Sequence, residues 1–415
     1  MFRPLLLIIA AGAFASVACA EIIHVPEDQT TLQAALNYSK NGDEIVVADG
    51  VYKGPANRNL DLLGKRIVIR SANGPEQCII DCQEQGRAFI FQNFEELDTV
   101  IQGLQIINGV PNTANHGGAI LCTSAGPLIR GCVFVDNDAG DGGAIAIVSG
   151  SAPVIVGCRF TANTGVNDGG AIRVNASSPE LINCYFVGNE AERAGAVSAR
   201  QDAALRMVNC TFAANVADSW GGAVEVVEAS GAEVVNCTFA ENENDEYVQG
   251  GAAFVSSDSS LTAANCIMWG NTPDQIGGYL PGATISYSDI EGGWSGPGSH
   301  NIDANPVFAD SINGGFHLSP GSPCIDGGDN GAMPPDALDL DGDGDTAEPL
   351  PIDRDGNHRF VDDPDTEDTG TGEPPIVDMG AFEFQVASCA ADVTGDGVVD
   401  VLDLLEVLGA WGPCS

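Results

Sequence analysis

Between residues 117 and 271 the apolar positions follow neither the 3.6-residue period of a helix nor the plain alternation of a hairpin. They come in short clusters parted by glycine and asparagine, and the clusters recur. The second glycine of a Gly-Gly-Ala phrase stands at Gly118, Gly143, Gly170, Gly195, Gly222 and Gly251, a step of 25 to 29 residues. A second mark keeps the same step: Cys132, Cys158, Cys184, Cys210, Cys237 and Cys266 are followed two residues later by Phe134, Phe160, Phe186, Phe212, Phe239 and Met268. A third is Asn137, Asn163, Asn189, Asn215, Asn242 and Asn271. Repeats of this length, rich in β-branched residues, predict an all-β solenoid of short strands with one coil per repeat.

Within a coil, residue types follow from backbone geometry. Before each cysteine stands Gly131, Gly157, Asn183, Asn209, Asn236 or Asn265, and glycine and asparagine are the residues that enter the left-handed region cheaply. A bend between two strands is expected there. Beyond it Cys and Phe, two apart, share the inward face, while Val133, Arg159, Tyr185, Thr211, Thr238 and Ile267 point out. Coils stacked about 4.8 Å apart place each inward residue over its counterpart. The asparagine column then reads as a buried amide ladder that satisfies turn backbone.

These phrases, "GGAI" at 142–145 and "FTAN" at 160–163, resemble the repeats of chlamydial polymorphic membrane proteins, within the right-handed parallel β-helix (pectin-lyase-like) superfamily. The resemblance covers residues 117–271, with departures at Ala194-Gly195 and at the "MWGN" of the last repeat. It implies a surface-displayed, adhesive solenoid. A weaker coil lies near Gly103, with Leu104 in the cysteine position. Upstream, Leu32, Ala35 and Leu36 share one face of an amphipathic helix, expected to cap the first coil and cover its open edge.

Composition then narrows the partners. Sixteen basic residues against 58 acidic ones give a formal charge of -42, a field that repels nucleic acid and anionic membranes. Residues 1–20 read as a secretory signal peptide, too short for a membrane span; a lipid anchor on Cys19 is the alternative. Export points to a secreted or cell-surface location and permits disulfides among the thirteen cysteines. Parallel ladder positions oppose such bonds, so the six ladder thiols are expected reduced. Cys389 and Cys414 bracket the last segment as a pair, and Cys78, Cys82, Cys122 and Cys324 have no assigned role.

The solenoid is expected over residues 21–291, followed at 292–385 by a segment closing the last coils. Within it residues 336–378 hold fifteen carboxylates and two arginines. Asp339, Asp341, Asp343 and Asp345 alternate with glycines in a way that suits calcium, though no Glu stands twelfth in a loop begun at Asp339; a solvated acidic loop is the other reading. Residues 386–415 form a sharper pattern. Counted from Asp392, ligands fall at Asp392, Thr394, Asp396, Val398 (through its carbonyl), Asp400 and Asp403, an EF-hand-like calcium spacing followed by an amphipathic helix. This segment resembles a single dockerin repeat, which implies a small α module with either a cohesin-like or an anchoring partner.

A function is sought on the outward columns. Before each glycine turn stand His116, Asp141, Asp168, Arg193, Trp220 and Gln249; three residues after its second glycine stand Leu121, Ala146, Arg173, Ser198, Glu225 and Phe254. Asp168, Arg173, Arg193, Trp220 and Glu225 would make one patch of charges and an aromatic, suited to a carbohydrate chain. Neighbouring Asp141 and Asp168 would be close enough to share a proton. Binding of carbohydrate or a cell-surface component is one expectation, and a polysaccharide lyase or glycoside hydrolase on the same scaffold is the alternative. No polygalacturonase or pectate-lyase motif is evident.

Overall fold

The computed structural model describes residues 20–112, 115–244, 250–310 and 315–386. Residues 1–19 of the expected signal peptide, with Cys19, and residues 387–415 of the expected dockerin-like module, with its calcium ligands and Cys389 and Cys414, lie outside them. The described chain winds through coils whose strands stack into parallel sheets of eleven, ten, nine and five strands. In one coil, Ile120–Thr123 joins the nine-stranded sheet, Leu128–Arg130 the eleven-stranded, Val133–Val135 the ten-stranded and Asp138–Asp141 the five-stranded sheet. Counterparts pair in register, Phe134 with Phe160 and Ile145 with Ile172.

Register turns each repeated residue into a column. Phe134, Phe160, Phe186, Phe212 and Phe239 stack with centroids 4.6 to 4.8 Å apart and planes within 7°. The Asn137 amide donates to Asn163 Oδ1 at 2.9 Å and to the Ile106 carbonyl at 3.1 Å. The same side-chain bond repeats through Asn189, Asn215 and Asn242 to Asn271. A buried primary amide is tolerable because its neighbours above and below satisfy it. All six bend residues have φ between 49° and 60°, in the left-handed region.

The ladder starts earlier than the repeats suggest. Ile79 pairs with Gln105, which places Cys78 beside Leu104 in the cysteine column. Cys122 points into the core from the nine-stranded sheet, and Cys324 Sγ donates to Asp289 Oδ2 at 3.3 Å. The ten described cysteines are all buried and unbridged, and burial pushes the Cys78, Cys82 and Cys266 thiols up to about 12. The helical cap forms as α1, Leu32–Tyr38; Thr31 Oγ1 accepts from the Ala34 amide at 3.2 Å, and Leu32, Ala35 and Leu36 are buried.

The region after the repeats requires a correction. Only its first residues continue the end of the solenoid, where Ile302 bridges to Asp289. The rest turns back as a flap along the side. Met333, Leu350 and Val377 pack on Val156, Ile182, Val208 and Val235, which point outward from the eleven-stranded sheet. Phe316, Ala381 and Phe382 pack on Ala213 and Ala240 of the ten-stranded sheet.

The bend column carries the tethers between these two packed faces. Asn209 Nδ2 donates to the Ile352 carbonyl at 2.9 Å, Asn236 Nδ2 to the Asp378 carbonyl at 2.8 Å, and Asn265 Oδ1 accepts from the Asp329 amide at 2.7 Å. Gly131 and Gly157 make the same bend without a side chain. At Asn209, Asn236 and Asn265 asparagine therefore does two jobs, adopting the left-handed bend and holding the flap.

Candidate functional site

Each coil returns from the five-stranded to the nine-stranded sheet at the Gly-Gly corner. Gly142 has φ 63°, and a Cβ on Gly143 would stand 2.2 Å from the Gly170 carbonyl of the next coil. The pair is thus needed once for conformation and once for close stacking. Residues on either side of the corner are brought within reach of each other across successive coils.

The residue before the corner forms a column in register: His116 with Asp141, Asp141 with Asp168, Asp168 with Arg193, and Arg193 with Trp220. Gln249 lies outside the described residues. Arg173, from the nine-stranded sheet, contacts Asp141 Oδ2 and lies 3.8 Å from Asp168 Oδ2. Asp168 Oδ1 also faces Arg193 at 2.8 Å and Arg200 at 3.0 Å. Arg200 continues to Glu225 at 3.4 Å and to Glu228 at 2.6 Å. Arg193 lies over the Trp220 ring at 6.0 Å, and Trp220 stacks on Phe254 at 5.4 Å with planes 10° apart.

The five residues expected to form a patch do converge, but two expectations about them change. Asp141 and Asp168 share the Arg173 guanidinium, so a cation stands where a shared proton was expected. Glu225 is 0% exposed, so it belongs beneath the patch. Its Oε2 accepts from Ser198 Oγ at 2.8 Å. The expected set omits Arg200, the hub that joins Asp168 to Glu225. Alternation along Val197–Arg200 was the available signal, because Arg200 shares the outward side of Ser198.

Burial pushes the Glu225 carboxyl up to about 7, with Arg200 and Ser198 acting in the opposite direction. Its folded value thus exceeds its ordinary 4.5, so the folded chain binds this proton more tightly than the unfolded chain. The resulting stability is complete below the ordinary value and is lost as pH rises through about 7. Glu225→Gln removes the titration and is expected to flatten the decline in unfolding midpoint between about pH 5 and 7, the interval separating the ordinary from the folded value. A variant that keeps the native slope would refute the assignment.

In the flap, Asp339, Asp341 and Asp343 bring carboxylate oxygens within 4.8 Å of one another, and Asp336, Asp341 and Glu348 do the same. Asp345 is in neither group and accepts from the Ala347 amide at 3.0 Å. Asp336 is 1% exposed, and Asp336 Oδ1 and Glu348 Oε1 are buried without a hydrogen-bond partner. Desolvation, and then the nearby carboxylates, raise the Glu348 pKa. A divalent cation fits this oxygen set. Glu348 and Asp336 offer the additional ligands that the sequence pattern sought at a twelfth position.

With this geometry in place, comparison with known proteins defines the class. A family model described as right handed beta helix region matches residues 78–239 and again 118–290, just over half of the chain. The protein belongs to that right-handed β-helix family. Similar solved structures include pectate lyase Pel9A, at 14% identity over 89% of this chain and 98% of that chain, with a TM-score of 0.45. Another is a PL6 alginate lyase complex with trisaccharide, at 14% identity over 70% of this chain and 62% of that chain, with a TM-score of 0.39. Likeness at this level says nothing about chemistry. A search of curated proteins finds no match. Among the described residues no helix is long and apolar enough to cross a membrane.

Proposed function

We propose that this is an exported, surface-associated β-helix protein that holds a carbohydrate chain along its Gly-Gly corner and binds calcium in its acidic flap loop. The observation that carries the sugar reading is the half-buried Trp220, stacked on Phe254 and flanked by Arg193. An aromatic plane with fixed polar groups beside it suits a sugar ring. Arg173, Arg193 and Arg200 are already paired with carboxylates. The field of -42 further disfavours a polyanion. A neutral glycan is therefore the favoured ligand.

The calcium reading rests on Asp336, Asp339, Asp341, Asp343 and Glu348, five carboxylates whose two buried, unpartnered oxygens need a cation. The tail's calcium spacing and its cohesin-like or anchoring partner belong to the same proposal, as the means of attachment. Binding is favoured over cleavage because the corner's carboxylates are engaged by guanidinium groups and Glu225 is covered.

Trp220→Ala is expected to weaken glycan binding about fivefold, the loss of one stacking platform of roughly 1 kcal/mol. Screening the native protein on a glycan array and titrating its best ligand against both proteins tests this. Equal affinity for the two would remove the corner as the site, and release of reducing ends or unsaturated uronate would replace binding with catalysis.

A further inference from the structure

Asp326 is held on every side but one. Its amide donates to Asp378 Oδ1 at 2.8 Å, and its carbonyl accepts from the Thr369 and Gly370 amides at 3.0 Å each. Its Oδ2 accepts from the Asp363 amide at 3.3 Å. These bonds draw residues 362–370 around it and place Asp362 and Asp368 beside its carboxylate, with one oxygen of each of the three within 4.8 Å of the others. Asp326 is 0% exposed, and its Oδ1 has no hydrogen-bond partner. Among the described residues none of the three carboxylates is in an ion pair with Lys, Arg or His. Three like charges around a covered, unsatisfied oxygen are costly unless a cation joins them.

We propose that Asp326, Asp362 and Asp368 bind a calcium ion that clasps residues 362–370 to the docked part of the flap. The donors are hard oxygens, and Asp362 and Asp368 are exposed, so water completes the shell. Calcium accepts six to eight oxygens in loose geometry, whereas magnesium demands a tight octahedron. Just beyond Asp326, the Gly328 amide donates to the Val377 carbonyl at 2.8 Å and the Asp329 amide to Asn265 Oδ1 at 2.7 Å. An ion at Asp326 thus braces a segment that is itself fastened to the solenoid.

This site is independent of the acidic loop, and the test separates them. Amide exchange is measured on the full chain after chelation and after addition of calcium alone. Three proteins are compared: native, Asp341→Asn/Asp343→Asn in the acidic loop, and Asp362→Asn/Asp368→Asn at the exposed ligands. Calcium is expected to slow exchange in peptides spanning 324–330 and 360–371 about tenfold in the first two proteins and not in the third. The exposed positions spare the buried Asp326, so the third protein folds as the native one does. Unchanged exchange in the native peptides, or equal protection in the third protein, would overturn the proposal. Loss of calcium response at 336–348 alone bears only on the acidic loop.

Discussion

Asp168→Asn is expected to destabilise the solenoid by about 3 kcal/mol, seen as a fall of about 5 °C in unfolding midpoint. Asp168 is buried and faces Arg173, Arg193 and Arg200. Asparagine keeps the size and one acceptor oxygen but removes the only charge common to all three. The Arg193 Nε at 2.8 Å has no aligned hydrogen bond, so that contact is chiefly Coulombic and disappears with the charge. Breaking a buried pair from one side costs more than the pair contributes, because the opposite charge is left desolvated. Arg193 and Arg173 retain some solvent contact, which places the effect at the lower end of that range. Asp141→Asn, facing Arg173 and the more exposed His116, should cost less. A midpoint for Asp168→Asn within about 1 °C of the native one would show that the network contributes little.

Much of this was legible because a solenoid repeats its contacts. Spacing alone located the phenylalanine stack, the asparagine ladder and the left-handed bends, since register fixes which residue lies over which. It also brought Asp168, Arg173, Arg193, Trp220 and Glu225 to one corner. Depth was not legible there. Alternation gives Glu225 an outward direction, but whether that direction meets water depends on neighbours such as Arg200 that the column comparison left out. The flap was harder still, because Asn209 and Asn236 meet it across 142 to 150 residues of sequence. One sign was present: the position two before each ladder cysteine changes from Arg130 to Val156, Ile182, Val208 and Val235. An outward column that turns apolar needs a cover, and the flap provides it.

Arg359→Leu is expected to release that cover while leaving the coils wound. Arg359 is 0% exposed, and its guanidinium donates to Asn209 Oδ1 at 2.6 Å, to the Ala381 carbonyl at 3.0 Å and to the Gly380 carbonyl at 3.1 Å. It also lies 3.4 Å from Glu383, which is likewise buried. Burial and the neighbouring Asp378 push the Glu383 carboxyl well up, with Arg359 as the opposing cation. Leucine fills similar space but leaves Glu383 and the Asn209 amide oxygen without this donor, a local cost of about 3 to 5 kcal/mol. The coils keep their own ladders because each rests on its neighbours. Amide exchange should therefore accelerate in residues 326–386 and on the outer strands at Val208 and Val235, while the Phe134–Phe239 strands keep native protection. A hydrophobic dye should bind the uncovered Val156, Ile182, Val208 and Val235 face. Native exchange throughout the flap would show that apolar packing alone holds it, and loss of protection in every coil would show that the flap is part of the solenoid's cooperative unit.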